Sequence, residues 1–327
     1  MKICVYGAGA IGGHLAMRLH RGGAEVSLIA RGPHLAAIQA GGLTVHAIDG
    51  THHARLPATD NPADIGPQDA VFVTVKAPAL PQIASGIAPL LAADTSVTFM
   101  MNGIPWWYCH GLGTQFEGRS LPRVDPGDIL RNTIGTRRTL GGVVYSASAV
   151  TAPGVIEVEQ PKSRYFIGEL HGSLTPRIVQ LSDLLRAGGV DGRPTPSIRT
   201  EIWTKLMSNL AGGTLAVLTG AAPKAVYAEP AAEAAARAVM HESAAIATAL
   251  GCNMSRIDPE EKIANGRSMD HKPSILQDLE LGRPMEVDGM FDAPLTLARM
   301  AGVATPTLDL LVALCKTRAH SAGLYNP

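Results

Sequence analysis

Glycines near the amino terminus have a spacing that suits a phosphate-containing ligand. The run is Gly7, Ala8, Gly9, Ala10, Ile11 and Gly12, directly after an apolar stretch at residues 1–6. Between a strand and a helix, the first glycine makes a tight turn, the second admits a pyrophosphate, and the third allows close helix packing. The first helical turn adds N–H donors and a positive dipole. The strand before and the helix after favour a dinucleotide site over a plain glycine-rich turn.

A basic residue at the end of the second strand indicates which dinucleotide binds. Sites for NAD place an acidic residue there to hold the ribose 2′-OH. In this chain Glu25 stands at the start of the strand and Arg31 follows its end. A guanidinium can bind a 2′-phosphate through two parallel hydrogen bonds. The sequence therefore predicts NADP(H), and the alternative interpretation of Arg31 is a solvated surface charge.

A lysine and an asparagine in the second half of the chain are spaced for one helix face. Lys205 and Asn209 are four residues apart. Hydride reduction of a ketone leaves an alkoxide that needs a proton, and an ammonium group can polarise the carbonyl and donate that proton. We expect Lys205 to be this acid at an interface with the nucleotide domain. The alternative is a solvated helix lysine.

Polar residues of a second cluster, at 274–288, could reach the same site. Gly282 and Pro284 mark the end of one helix and the start of another, so Ser274 and Glu286 can approach a crevice from two sides. A carboxylate near a lysine stabilises the ammonium form. The residues alone fit equally well with Glu286 as an acid in the first turn of a helix.

The elements before residue 100 alternate short apolar strands with helical segments, which favours βαβ units and a parallel sheet. Strands predicted at residues 70–75 and 96–101 run into Lys76 and Asn102. Ligands bind beyond the carboxyl ends of such strands, so both residues should face the cofactor crevice. The alternatives are a surface lysine and a turn-forming Asn-Gly pair.

The sequence pattern from residue 141 onward predicts that the chain forms two domains. Residues 141–170 have strand patterns expected to add antiparallel strands to the sheet, followed by a helix at 176–187 and a short strand at 190–193. Beyond Pro194–Pro196 the pattern is helical. We predict an α/β protein with a Rossmann-type, doubly wound parallel sheet in residues 1–196 and an all-helical domain in residues 197–327.

Composition excludes several classes of partner. The 327 residues have zero net charge and lack a basic tract, which argues against nucleic acid and anionic membranes. An uncharged stretch at 206–223 contains serine, asparagine, glycine and threonine, so we reject a membrane span. Four scattered cysteines predict a reducing, cytoplasmic location. The His52-His53 pair lacks nearby ligands, so no metal site is predicted.

Motifs from most of the chain together resemble one family. They are Gly7-x-Gly9-x-x-Gly12, Arg31, Val75-Lys76-Ala77, Asn102-Gly103, Trp203-x-Lys205-Leu206-x-x-Asn209, Ser274-x-Leu276-Gln277-Asp278 and Glu286-Val287-Asp288. In this order they resemble the ketopantoate reductase family. The resemblance implies an NADP-dependent oxidoreductase acting on CH–OH groups. Its implied reaction is reduction of 2-dehydropantoate to pantoate, a step towards pantothenate and coenzyme A.

The resemblance also implies a role for each polar residue. Lys205 would be the general acid and Glu286 its partner, while Lys76 and Asn102 would line the nicotinamide side. Asn102 and Lys205 would also contact the substrate. Asn209 would bind the substrate hydroxyl and Ser274 the substrate carboxylate.

Two departures from the family pattern bear on the substrate. Gly213 stands where the family often has a second asparagine, and Met101 replaces the usual glutamine before Asn-Gly. An extra-looking segment at 104–138 begins with three aromatic residues at 106–108, which form either a packed helix or an apolar pocket wall. A different, bulkier 2-keto acid is therefore the first alternative substrate. A non-catalytic NADP(H) sensor is the alternative of another class, and the sequence leaves a homodimer open.

Overall fold

The computed structural model describes residues 1–159 and 161–326. The Cα atoms group into two compact units. The first contains Met1–Met101 and Trp106–Ile198, and the second contains Asn102–Pro105 together with the chain from Arg199 onward. Nothing in the sequence indicated that the short segment Asn102–Pro105 would belong with the helical unit. The predicted domain boundary at residue 196 stays a prediction.

The strands of the described residues all lie in the first unit. They are β1 (Lys2–Tyr6), β2 (Glu25–Ile29), β3 (Leu43–Ala47), β4 (Gly50–Ala54), β5 (Ala58–Thr59), β6 (Gln68–Val73), β7 (Leu91–Met100), β8 (Thr139–Tyr145), β9 (Ser148–Ala152), β10 (Val155–Val158), β11 (Arg164–Glu169) and β12 (Asp191–Pro194). The strands predicted near 70–75 and 96–101 are therefore present as β6 and β7.

The main sheet has eight strands in the order β12-β11-β8-β7-β6-β1-β2-β5. In this order each neighbouring pair from β8 through β7, β6, β1 and β2 to β5 is parallel. Strand β11 runs antiparallel to β8. The central strands are continuous apolar runs because both faces of a parallel sheet are covered; Ile3, Val5 and Phe72 are fully buried. The predicted Rossmann-type α/β class is confirmed.

The prediction that all strands of residues 141–170 extend the main sheet is wrong for β9 and β10. They join β3 and β4 in a four-stranded sheet with the order β4-β3-β10-β9. The alternate residues Ile156 and Val158 are buried. A Cβ atom at Gly13 would collide with the Ile156 side chain, so β10 lies directly against the helix that carries Gly13. Packing on this helix separates β10 from the main sheet.

Helices connect the strands and form most of the second unit. Their bounds are α1 (Ala10–Arg21), α2 (Gly32–Gly41), α3 (Leu80–Gly86), α4 (Ile129–Ile134), α5 (Pro176–Ala187), α6 (Ile198–Thr219), α7 (Pro223–Val226), α8 (Pro230–Ala249), α9 (Pro259–Arg267), α10 (Ser274–Glu280), α11 (Ala293–Ala301) and α12 (Pro306–Ser321). The predicted helix at 176–187 is confirmed as α5. Throughout the described chain, every helix is too short or too polar to cross a bilayer.

The segment that starts with three aromatic residues folds into turns. Trp106, Trp107 and Tyr108 are buried but not helical, so of the two interpretations of this segment the packed helix is wrong. The Trp106 ring lies edge-on to Phe99, with 5.9 Å between ring centroids. Positive φ of +77° at Gly111 prevents a regular helix from continuing past these rings.

A buried carboxylate organises the end of this segment. Asp125 is 2% exposed, and its two carboxylate oxygens accept hydrogen bonds from the N–H groups of Leu130 and Arg131 at 2.9 and 3.1 Å. These N–H groups lie in the first turn of α4, where a helix has no internal acceptors for them. Asp125 therefore caps α4.

We expect Asp125→Ala to loosen α4, because one buried and one partly buried N–H group lose their acceptor at a cost of about 1 to 2 kcal/mol. Hydrogen exchange at the Leu130 and Arg131 amides should become roughly tenfold faster. Asp94→Ala is the matched control, since the Asp94 side chain is 94% exposed. Unchanged exchange in Asp125→Ala would contradict the capping role.

Candidate functional site

The glycine run after β1 has the shape that a dinucleotide requires. Gly7 has φ +108°, and a Cβ atom there would lie 2.6 Å from Cγ1 of Val75. A Cβ at Gly12 would collide with the carbonyl oxygen of Gly7. A Cβ at Gly9, by contrast, would have no atom within 4 Å among the described residues. The first and third glycines are thus required by packing, whereas the second faces open space where a ligand can approach the backbone.

Hydrogen bonds direct the polar groups of this loop. The N–H groups of Gly7 and Ala8 both donate to the Ile29 carbonyl at 3.0 Å. The Thr74 hydroxyl donates to the Gly7 carbonyl at 2.6 Å. Helix α1, which follows, has no acidic residue in its first turn, where N–H groups lack internal acceptors. The residues present therefore fit a pyrophosphate at the start of α1.

Arg31 is exposed and directly precedes α2. Its Nη1 donates to Oε1 of Gln82 at 3.5 Å, a long hydrogen bond. Within the described chain no carboxylate forms an ion pair with Arg31. Glu25 is the first residue of β2, at the opposite end of the strand from Arg31. The guanidinium is therefore available to an added phosphate.

Lys76 is exposed and follows β6 within the same unit. The preceding residue is Val75, and its side chain lies directly against Gly7. The structure therefore places Lys76 next to the glycine run. The expectation that Lys76 and Asn102 face one crevice stays a prediction.

The second unit holds a lysine in direct contact with an asparagine. Lys205 lies in α6, is half-buried, and donates from Nζ to Oδ1 of Asn102 at 2.7 Å. The two residues are 103 positions apart in the chain. They meet because Asn102 belongs to the short segment 102–105 of the second unit.

An irregular helical turn positions Asn102. Residues Asp288–Asp292 form a π-helical turn, and the Ile104 N–H donates to the Gly289 carbonyl at 2.8 Å. Gly103 has φ +80°, and a Cβ there would lie 2.5 Å from the Gly289 carbonyl carbon. Only a residue without a side chain can approach the turn so closely. Turns of this kind often occur at functional sites.

Burial and a carboxylate act in opposite directions on the charge of Lys205. The pKa of Lys205 is about 8, well below its ordinary value, because removal from water lowers it and the negative charge of Glu286 offsets only part of that effect. Glu286 is 9% exposed and comes two residues before the π-helical turn. A pKa lowered in this way leaves the ammonium the main form at neutral pH and makes its proton easier to release. The structure therefore brings Lys205, Asn102 and Glu286 into one electrostatic cluster.

The remaining candidates lie along α6 and at the start of α10. Asn209 is half-buried one turn after Lys205, and its side chain has no hydrogen-bond partner in the described part of the chain. One turn further, a Cβ at Gly213 would lie 3.4 Å from Cγ2 of Ile275. Ser274, next to Ile275, is exposed at the first position of α10. Asn209 thus has free donors and acceptors, and an apolar group borders position 213.

Sequence reasoning missed Thr74, which supports the glycine run of the first unit, and Gly289, which supports the segment of Asn102 in the second. Thr74 holds the Gly7 carbonyl and Gly289 holds the Ile104 N–H. Neither contact leaves a local pattern in the sequence, because each joins residues far apart in the chain.

Comparison with known proteins gives a consistent family match. The model of the family described as "Ketopantoate reductase PanE/ApbA" matches residues 3–172, and that of its carboxyl-terminal part matches residues 197–319. A 2-dehydropantoate 2-reductase of Mesorhizobium japonicum is 40% identical over 328 residues, covering all of both chains.

Solved structures agree with this match. The crystal structure of a candidate ketopantoate reductase from Ralstonia solanacearum has a TM-score of 0.91 and 36% identity, covering 99% of both chains. A ternary structure of D-mandelate dehydrogenase with NADH and anilino(oxo)acetate has a TM-score of 0.81 and 23% identity, covering 99% of this chain and 100% of the other. At that identity the second likeness shows a shared fold alone.

The charge cluster predicts an unusual titration of Lys205. Well below its pKa of about 8 the amine is mostly protonated and unreactive, so acylation of Lys205 should rise with pH around a midpoint near 8. In the unfolded chain the midpoint should be near the ordinary value of about 10.4. Acylation rates measured by peptide mass spectrometry across pH would check this. In Glu286→Gln the midpoint should fall further, because an attraction for the ammonium is lost. A midpoint near 10 in the folded protein would rule out the desolvated ammonium.

Proposed function

The chain belongs to the ketopantoate reductase family, and from this premise we propose that it reduces 2-dehydropantoate to pantoate with NADPH. The proposed reaction adds hydride to the ketone carbon and a proton to the ketone oxygen. It is a step in the formation of pantothenate and coenzyme A.

The observation that carries the proposal is the Lys205 ammonium, which donates to Asn102 and lies in the field of Glu286. A protein that only binds a dinucleotide has no need of a half-buried proton donor. The full-length match to a 2-dehydropantoate 2-reductase supports the same chemistry.

In the proposed reaction, Lys205 of this chain supplies the proton. Bound NADPH would supply the hydride. Nζ of Lys205 donates a hydrogen bond to the ketone oxygen, which polarises the carbonyl, and then transfers its proton as negative charge develops there. The resulting neutral amine recovers a proton from water. A pKa of about 8 suits both steps at neutral pH.

Glu286 and Asn102 keep the ammonium charged and oriented. The Asn102 oxygen accepts a hydrogen bond from Nζ, which fixes the direction of the ammonium. Glu286 opposes the loss of charge that burial causes. Both are proposed as partners of the acid rather than as acids themselves.

Asn209 and Ser274 are the proposed substrate contacts, to a hydroxyl and to the carboxylate respectively. Gly213 supports a second candidate substrate, a bulkier 2-keto acid. The position lacks a polar side chain, and the apolar Ile275 is its neighbour. A site that lacks a hydrogen-bonding group at position 213 and has an apolar neighbour there favours a substrate with a larger apolar tail.

The decisive test of the proposed function is an assay of NADPH oxidation with 2-dehydropantoate and a panel of 2-keto acids, including branched and phenyl-bearing ones. We expect turnover with NADPH and a preference for 2-dehydropantoate. Lys205→Ala should lose most of the turnover yet bind NADPH, and Lys224→Ala, at an exposed site, should behave as wild type. Preference for a phenyl-bearing acid would instead support the second candidate. Binding of NADPH without turnover of any panel member would refute the proposal.

Arg31 is proposed to select NADPH through the 2′-phosphate. We expect Arg31→Ala to raise KM for NADPH by roughly tenfold or more, because a charge-assisted hydrogen bond to phosphate is lost. KM for NADH should change little. Arg55→Ala, another exposed arginine of the first unit, is the matched control. Equal losses with both cofactors would remove the 2′-phosphate from the explanation.

A further inference from the structure

His34 makes two backbone contacts that neither the proposed reaction nor the glycine motif uses. It lies in α2, three residues after Arg31, and is half-buried. Its Nε2 lies 2.7 Å from the Ala8 carbonyl oxygen. The Gly154 N–H, in the turn between β9 and β10, donates to Nδ1 at 3.0 Å.

These contacts fix the tautomer of the ring. A backbone N–H can only donate, so Nδ1 must be the unprotonated, accepting nitrogen. The ring proton is then on Nε2, which donates to the Ala8 carbonyl. The neutral imidazole has both nitrogens satisfied by backbone and holds one orientation.

The Ala8 contact sets the direction of the next peptide N–H. In a planar trans peptide the carbonyl of one residue and the N–H of the next point in opposite directions. Fixing the Ala8 carbonyl therefore fixes the Gly9 N–H on the opposite side, and Gly9 is the glycine at which an added Cβ would meet no atom of the described chain within 4 Å. The Gly7 carbonyl is held separately by Thr74.

We propose that His34 is a positioning residue for the dinucleotide. It holds the Ala8–Gly9 peptide so that the loop presents its N–H groups to the pyrophosphate, and it joins this loop to the helix that follows Arg31. A loop held in its binding geometry loses less freedom when the ligand binds, so affinity rises. The inference rests on the proposed function, since it assumes that this protein binds a nicotinamide dinucleotide.

Two conservative variants separate the contacts of His34. Glutamine can place an amide N–H near the position of Nε2 and so keep the bond to Ala8. Asparagine can place an oxygen near the position of Nδ1 and so keep the bond from Gly154. The experiment is calorimetric titration of the full chain with NADPH for wild type, His34→Ala, His34→Gln and His34→Asn. His46→Gln, on β3 beside Thr51, is the matched control.

We expect His34→Ala and His34→Asn to weaken NADPH binding by about tenfold, and His34→Gln to stay within about threefold of wild type. At saturating NADPH, kcat and the KM for the keto acid should stay near wild type, whereas a general loss of structure would lower kcat. If His34→Ala does not fold, the Kd values of the glutamine and asparagine variants still show whether the contact with Ala8 controls NADPH affinity.

Two results would overturn the inference. One is a wild-type Kd in both His34→Ala and His34→Asn. The other is rescue by asparagine but not by glutamine, which would assign the effect to the β9–β10 turn. Failure of the wild-type protein to bind either NADPH or NADH would instead refute the proposed function, and this inference with it.

Discussion

The partly desolvated ammonium of Lys205 is the constraint on which the arrangement of residues 102–105 and the turn at 288–292 depends. An ammonium removed from water needs oxygen atoms in place of that water, or it loses its proton. Asn102 provides one such oxygen and Glu286 provides compensating charge. Asn102 can do so only because Gly103 lets its segment lie against the π-helical turn. The irregular turn and the glycine therefore both serve the charge state of one side chain.

In the first unit the corresponding constraint is the direction of backbone groups. The Gly7 and Ala8 carbonyls accept hydrogen bonds from the Thr74 and His34 side chains respectively. The N–H groups of Gly7 and Ala8 donate to the Ile29 carbonyl. The N–H groups that follow stand in the first turn of α1, where a helix has no internal acceptors, and fit the proposed pyrophosphate. The proposed attraction for phosphate at the start of α1 thus comes from N–H groups without internal acceptors and from the helix dipole. Arg31 adds an exposed positive charge.

The parts that could be predicted from the sequence are those set by neighbours in the chain. The three glycines, the apolar central strands and the four-residue spacing of Lys205 and Asn209 all express local geometry. The placement of β9 and β10 could not be predicted, because alternation shows which face of a strand is buried but not which sheet it joins. The same holds for the Lys205–Asn102 and His34–Gly154 contacts, which join residues 103 and 120 positions apart.

The course of the chain through residues 102–105 limits how this protein can have been assembled. After β7 the chain contributes four residues to the helical unit and then returns to the first unit for almost a hundred more. A helical unit inherited as a separate gene segment would lack the oxygen that holds its lysine, and its Gly289 carbonyl would lose its donor. The two units are therefore not interchangeable modules. A chain that began at residue 199 would keep Lys205 but lack Asn102, so the helical unit depends on four residues supplied between two parts of the first unit.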